Sequence, residues 1–228
     1  MIKAVVFDFD GLIIDTETPC YHAFNKIYRE YGAELPLPLY AQCVGTSFDQ
    51  FNPYTYLSEV AGETIEHSLI KDRFKLYHAE MLIETGLRPG VMQYLEAAKQ
   101  LNLKIGLASS SPIAWIEPYL SKFNLRPYFD SLATADDVSL VKPDPELYLL
   151  SLQRLGVHAE EAISFEDSLN GFHAARTAGL HCVVVPNELT KLFDFSGYDL
   201  LLGSMEDMAL TEVIAGLRIN RCGGRAIL

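Results

Sequence analysis

Short, largely apolar segments alternate with helix-like repeats along most of this chain. The first of them, Ala4–Phe7, is a continuous apolar run, which is typical of a strand covered on both faces of a parallel sheet. All these segments are four or five residues long and are followed by polar or small residues. The predicted strands are Ala4–Phe7, Lys104–Ala108, 131–135, 162–165 and 182–185.

The segments between these strands repeat their apolar residues at helical spacing. Pro89-Gly90 opens a helix, and Asp144-Pro145-Glu146 has the residue types of another helix start. Pro118 is expected to kink or break the helix that begins after Ser111-Pro112. Alternating strands and helices predict an α/β fold with a doubly wound parallel sheet.

Residues from about 16 to 84 lack this alternation and have only helical patterns. Tyr21, Phe24 and Tyr28 belong to one predicted helix, and a later helix follows near residues 69–81. We expect a small all-α domain at 17–86, inserted after the first strand of a core domain made of 1–16 and 87–228. The aromatic stretch 51–56 is either a substrate-facing surface or part of this domain's own core.

The bulk properties exclude several classes of function. A net charge of −12, from 18 basic and 30 acidic residues, disfavours nucleic acid and anionic membranes as partners. No apolar run approaches a membrane span or a secretory leader, so a cytoplasmic location is expected. The cysteines Cys20, Cys43, Cys182 and Cys222 are widely spaced, which predicts free thiols. We expect a monomer or a weak homo-oligomer.

Polar residues follow the predicted strands at the same relative place. Asp8 and Asp10 follow the first strand, Ser109 follows the second, Lys142 lies in a later loop and Glu166-Asp167 follows the strand near 162. Singly, each is explained by a turn, a helix cap or a solvated loop. Together they would meet at one edge of a parallel sheet. Clustered carboxylates need a cation, and an all-oxygen site suits Mg²⁺.

The order of these residues resembles the four motifs of the haloacid dehalogenase (HAD) superfamily. The first is Asp8-Phe9-Asp10-Gly11, and Ser109, Lys142 and Glu166-Asp167 follow in sequence. The chain is most similar to the β-phosphoglucomutase-like phosphatases through 107–111 (LASSS), 141–145 (VKPDP) and 165–168 (FEDS). This resemblance implies a Rossmann-like core with a helical C1-type cap, which corresponds to the inserted domain.

The resemblance also implies a role for each motif residue. Asp8 would be the nucleophile that forms an aspartyl-phosphate, and Asp10 the general acid and base. Ser109 and Lys142 would bind phosphate oxygens. Mg²⁺ would be held by Asp8, the backbone carbonyl of Asp10 and Asp167, with Glu166 beside them.

The residues leave three functions to compare. A magnesium-dependent phosphatase acting on a small phosphorylated metabolite, such as a sugar phosphate, is favoured. A β-phosphoglucomutase would share its first half-reaction, but the resembling mutases carry basic residues where this chain has Val44 and Phe48. Arg73 is either a distal anion site or a solvated ion pair. A binding module has no reason to keep the charge cluster, and Asp10 argues against a dehalogenase.

Overall fold

The core of the molecule is a six-stranded parallel sheet with the strand order β3-β2-β1-β4-β5-β6. The computed structural model describes residues 1–43, 51–83 and 85–221. The strands are β1 (Ala4–Phe7), β2 (Lys104–Ala108), β3 (Ser131–Ala133), β4 (Ala162–Glu166), β5 (His181–Val184) and β6 (Leu200–Leu201). The predicted α/β fold is therefore confirmed.

The first strand occupies the centre of the sheet, as its continuous apolar sequence requires. Phe7 is in register with Leu107 of β2 and with Phe165 of β4, and its ring stacks on that of Phe165 at 5.0 Å. Every residue of β1 and β4 is buried. Because β1, β2 and β4 end at the same level, the residues that follow them lie at one edge.

Helices cover both faces of the sheet. On one face, α5 (Val91–Gln100), α6 (Ile113–Lys122) and α9 (Leu210–Arg221) contribute to one apolar core. On the other face, α7 (Glu146–Leu155) and α8 (Leu169–Thr177) form a second core with the opposite side of the strands. Two apolar layers around one sheet are the expected consequence of strands buried on both faces.

Of the two outcomes expected at Pro118, a kink or a break, the break does not occur. Pro118 does not end α6, which continues to Lys122 as a single helix. Proline costs a backbone hydrogen bond, but Ile116 and Leu120 on either side of it are fully buried in the core. Tertiary packing of this face holds the helix together across the proline.

Several element boundaries also differ by one or two residues from the predicted ones. The third strand ends at Ala133, and β5 begins at His181 and ends at Val184. The helix after β4, predicted at 170–178, is Leu169–Thr177, because the Ser168 hydroxyl accepts a hydrogen bond from Gly171 N at 3.2 Å and caps it.

The inserted segment folds as helices, as its sequence pattern predicts. They are α1 (Glu17–Glu30), α2 (Leu37–Tyr40), α3 (Pro53–Ala61) and α4 (His67–Ile83). Phe24, Ile27 and Tyr28 are buried between them. Phe51 and Tyr54 belong to the same cluster, so the aromatic stretch supplies the insertion's own core. We call this helical part the cap.

The two chain passages between cap and core run side by side. Ile14 forms an antiparallel bridge with Leu87, and Arg88 N donates to Ile13 O at 2.9 Å. Arg73 of α4 pairs with Glu30 of α1, which supports the ion-pair alternative for this residue. Val44 and Phe48, which stand where the resembling mutases carry basic residues, lie outside the described residues.

Cys20, Cys43 and Cys182 are free, as expected, whereas Cys222 lies outside the described residues. Across the residues that the structure describes, no helix has both the length and the apolar character needed to cross a membrane.

Candidate active site

A buried cluster of charges lies at the carboxyl edge of the sheet, where β1 and β4 end. Lys142 Nζ donates to Asp8 Oδ1 at 2.5 Å and to Glu166 Oε1 at 2.6 Å. Tyr148 of α7 also donates its hydroxyl to Glu166 Oε1. Asp8, Lys142, Glu166 and Asp167 are all at least nine-tenths buried. The loop after β3 therefore brings the lysine into contact with carboxylates from two neighbouring strands.

The protonation of this cluster is set by burial and mutual repulsion. Burial, reinforced by neighbouring carboxylates, raises the pKa of Asp8 and of Asp167, and Lys142 opposes the rise at Asp8. Although burial favours a neutral amine, the charges of Asp8 and Glu166 raise the pKa of Lys142. Lys142 thus contacts two of the three carboxylates, and a further positive charge would relieve their remaining repulsion.

The same carboxylates fit a metal ion. One oxygen from each of Asp8, Glu166 and Asp167 lies within 4.8 Å of the others. Glu166 Oε2 and Asp167 Oδ1 are buried and have no hydrogen-bond partner among the described residues. Buried polar atoms left without partners are costly, so an oxygen-binding cation is the natural complement.

Two glycines make room for these carboxylates. A Cβ at Gly171 would overlap the Glu166 carboxylate, and a Cβ at Gly11 would overlap that of Asp167. Gly11 also has a φ of +81°, a conformation that other residues rarely adopt. The cluster therefore depends on close approach of the backbone from the β1 loop and from α8.

Two residues from outside the motifs support the cluster. Asn187 Nδ2 donates to Asp167 Oδ2 at 2.7 Å, and this leaves Oδ1 as the open atom. Arg88 donates to the carbonyl oxygens of Gly11, Val185 and Pro186 at 2.5–2.9 Å. These contacts tie the loop after β1 to the loop after β5.

The carboxylate of Asp10 is held by donors from three directions. Its Oδ1 accepts from Thr16 Oγ1 at 2.9 Å and from Trp115 Nε1 at 2.8 Å. Its Oδ2 accepts from Ser111 Oγ at 2.6 Å, with Ser109 Oγ farther away at 3.5 Å. The Ser109 hydroxyl itself accepts from Ser111 N at 3.0 Å.

The side chains of Asp8, Asp10, Ser109, Lys142 and Asp167 line one cavity of about 700 Å³. The cap contributes Glu17 and Cys20 from the start of α1 to its wall. Burial, with Asp10 and Asp15 nearby, raises the pKa of Glu17 to about 7. Burial also raises the pKa of the Cys20 thiol, so it is not a ready nucleophile.

Comparison with known proteins assigns the chain to a family of hydrolases, which agrees with the acidic residues found at the carboxyl edge of the sheet. The family model of haloacid dehalogenase-like hydrolases matches residues 5–185, which contain all six candidate residues but not Asn187. The chain belongs to this family. Membership of this family shows that the protein is an enzyme, a hydrolase. Its relatives and the solved structures confirm its resemblance to the β-phosphoglucomutase-like group.

Three relatives illustrate the similarity. YhcW of Bacillus subtilis, named as a candidate phosphatase, is 46% identical over 214 residues, which are 94% of this chain and 97% of the relative. The phosphorylated carbohydrates phosphatase of Thermotoga maritima is 33% identical, covering 78% and 82% of the two chains. A crystal structure of a CbbY variant from Rhodobacter sphaeroides with xylulose-1,5-bisphosphate has a TM-score of 0.70 at 28% identity, covering 95% and 99%.

Five of the six candidate residues line one cavity, and the sixth, Glu166, contacts the lining residue Lys142. Asp8, Lys142, Glu166 and Asp167 form the charge cluster, and Asp10 and Ser109 lie beside it. Trp115, Tyr148, Asn187 and Arg88 were not among the candidate residues. Their only sequence signal is position: Tyr148 lies six residues after Lys142, and Asn187 follows β5 at the same edge.

Proposed function

We propose that the hydrolase is a magnesium-dependent phosphatase of small phosphate monoesters, with sugar phosphates as the substrate class. The observation that carries this proposal is the contact of Asp8 with Lys142 on the wall of the cavity that Asp10 also lines. A carboxylate nucleophile, a cation for phosphate oxygens and an acid/base carboxylate are the groups that this chemistry requires.

In the first step, an oxygen of Asp8 forms a bond to phosphorus while the bond from phosphorus to the ester oxygen breaks. The electron pair of that bond takes the proton from Asp10, so the sugar leaves as a neutral alcohol. Lys142 and Ser109 contribute positive charge and a hydroxyl to the phosphoryl oxygens. Asp8 is now an aspartyl-phosphate, and Asp10 is a carboxylate.

In the second step, water attacks the phosphorus of the aspartyl-phosphate. Asp10 takes a proton from this water, the bond between phosphorus and the Asp8 oxygen breaks, and inorganic phosphate forms. Asp8 is again a carboxylate, and Asp10 again carries a proton. Splitting the hydrolysis into two displacements replaces one difficult step with two easier ones.

The metal site of the proposal consists of Asp8, Asp167, Glu166 and the backbone carbonyl of Asp10. The partnerless oxygens of Glu166 and Asp167 support it. When bound, Mg²⁺ would neutralise part of the charge on the nucleophile and the phosphate and so lower their repulsion. Asn187 and Tyr148 orient the carboxylates that would hold it.

Two observations support sugar phosphates as the substrate class. The relatives include a phosphatase of phosphorylated carbohydrates and a CbbY that binds a sugar bisphosphate. The cavity of about 700 Å³ has room for a phosphorylated sugar, with the cap residues Glu17 and Cys20 on the wall. We place the cap at 17–86 and the core at 1–16 and 87–228, with hinges near Thr16 and Gly86.

The test is turnover of a panel of phosphorylated metabolites with Mg²⁺, including β-glucose 1-phosphate with a trace of its bisphosphate. Free phosphate and glucose 6-phosphate are followed separately. We expect phosphate release from sugar phosphates. Asp8→Asn should abolish it, because an amide cannot form the aspartyl-phosphate, and Asp72→Asn, an exposed site on α4, should retain it.

Glucose 6-phosphate formed without phosphate release would replace the phosphatase with the mutase. If no ester is turned over and an anhydrous quench traps no phosphoryl group on the protein, only the binding module remains. Equal rates in Asp8→Asn and the unaltered enzyme would contradict the assignment of the nucleophile.

A further inference from the structure

The donors around Asp10 differ in what they can do when this residue carries a proton. A carboxylate oxygen has two lone pairs for hydrogen bonds. Both lone pairs of Oδ1 are occupied, one by Thr16 Oγ1 and the other by Trp115 Nε1. The partners of Oδ2 are the hydroxyls of Ser111 and, at a greater distance, Ser109.

Hydroxyl groups can donate or accept, but the indole N–H of tryptophan can only donate. On the Oδ1 side Thr16 can also turn and accept, whereas Trp115 cannot, so the indole reserves one lone pair of Oδ1 for itself. The partners of Oδ2 are serine hydroxyls, which can turn and accept. The indole contact therefore fixes the Oδ1 end of the carboxyl group and leaves Oδ2 able to carry the transferable proton.

The Trp115 ring is fixed from several sides. It stacks nearly parallel to His78 of cap helix α4, with 6.3 Å between ring centres and 15° between planes. Tyr119, one turn later on α6, meets it edge-on at 5.5 Å. His78 Nε2 in turn lies 3.2 Å from Cys20 Sγ of α1. The indole is therefore held between the core and cap helix α4, whose His78 in turn contacts α1.

We propose that Trp115 is the positioning residue of the proposed general acid: its indole N–H anchors Asp10 Oδ1 and so keeps Oδ2 turned towards Ser111 and Ser109. This inference rests on the proposed phosphatase function. It concerns a residue outside the four motifs. The side chain acts through Asp10 and takes no part in bond making.

The consequence depends on the leaving group. An alkoxide must be protonated as it departs, whereas p-nitrophenolate leaves readily without an acid. Loss of the indole contact should therefore slow esters of poor leaving groups and spare those of good ones. General damage to the active site would slow both classes alike, so the ratio of the two rates separates positioning from folding.

The experiment uses the fact that Trp115 is the only tryptophan in the chain. Biosynthetic replacement by benzothienylalanine changes this one residue, keeps its shape and substitutes sulfur for the N–H group. The matched control is 5-fluorotryptophan, which keeps the N–H. Trp115→Phe provides a genetically encoded second variant, and Tyr119→Phe is its control on the same helix.

The readout is the first-turnover rate of leaving-group release, measured with Mg²⁺ in a rapid quench for benzyl phosphate and p-nitrophenyl phosphate. Misplacement of an acid by about 1 Å costs on the order of 100-fold. We expect benzyl phosphate to slow by about 10- to 100-fold in the sulfur-substituted protein, with KM little changed. For p-nitrophenyl phosphate the change should stay below about threefold. The 5-fluorotryptophan and Tyr119→Phe proteins should retain both rates.

Equal slowing of the two esters, or no slowing of benzyl phosphate, would overturn the role of Trp115 while leaving the phosphatase intact. If the unaltered enzyme hydrolyses neither ester nor any member of the metabolite panel, the proposed function itself fails. The two failures are thus told apart by the unaltered protein. Thermal unfolding of each variant confirms that the rates compare folded enzymes.

Discussion

At the scale of single residues, Glu17 combines an unfavourable environment with a position on the cavity wall. It begins α1, directly after Thr16. Burial is the main reason that its pKa is raised from 4.5 to about 7, and the charges of Asp10 and Asp15 add to the effect. The folded protein therefore binds a proton here that the unfolded chain releases at lower pH.

This difference predicts how stability changes with pH. Because the folded pKa is the higher one, the free energy of unfolding should fall as pH rises from about 4.5 to about 7 and then stay low. Glu17→Gln removes this contribution. We expect the variant to gain about 1–3 kcal/mol over the unaltered enzyme at pH 8 and nothing at pH 4.5.

Urea unfolding at several pH values, in the absence of divalent metal, measures this effect. Glu63→Gln is the matched control, because Glu63 is an exposed glutamate of the same cap. A gain that is the same at pH 4.5 and pH 8 would show that the amide stabilises the helix start for another reason.

At the scale of elements, Arg88 connects loops that the sheet alone leaves separate. It lies just before α5, and its guanidinium reaches the carbonyls of Gly11, Val185 and Pro186. The first carbonyl belongs to the loop that carries Asp10, and the others precede Asn187. A planar group with several donors can hold three carbonyls at once, which a lysine ammonium on a flexible stem does less well.

Arg88→Lys should therefore weaken both the fold and the site. Loss of the hydrogen bonds to these carbonyls should lower the free energy of unfolding by about 1–3 kcal/mol. We expect this loss in urea unfolding, together with a lower kcat for phosphate release, because the Asp10 loop and Asn187 are no longer tied together. Arg126→Lys, at an exposed arginine, should change neither quantity. An unaltered kcat in a destabilised Arg88→Lys enzyme would limit its role to stability.

The elements also show what the sequence could and could not predict. The ends of β1 and β2 were predictable, because their mostly apolar segments end where polar side chains begin, as at Phe7-Asp8. The end of β4 was predicted one residue too early, because Glu166 is polar and still belongs to the strand. The course of α6 through Pro118 was not, because it depends on core packing around the helix. The role of Trp115 could not be predicted for a related reason, because its contact with Asp10 joins residues 105 positions apart. Local patterns carry no information on such pairs.

At the scale of the whole molecule, an acidic chain buries a cluster of three carboxylates, two of which pair with Lys142. The cluster lies at the centre of the sheet edge, where β1 and β4 end, so its repulsion acts on the whole fold. A ligand that binds only the folded state stabilises it by mass action. The metal and the fold should therefore be linked.

Mg²⁺ should raise the melting temperature, and more so at higher pH. At about 100 times its dissociation constant, a ligand adds about 2.7 kcal/mol, or roughly 5–10 °C in a chain of this size. Because burial raises the pKa of Asp8 and Asp167, protons compete with the metal for these oxygens at low pH. We expect the shift to grow from pH 6 to pH 8 at constant ionic strength. Asp167→Asn should reduce it, whereas Asp72→Asn should not. A shift that K⁺ reproduces, or one independent of pH, would contradict a metal site built from these carboxylates.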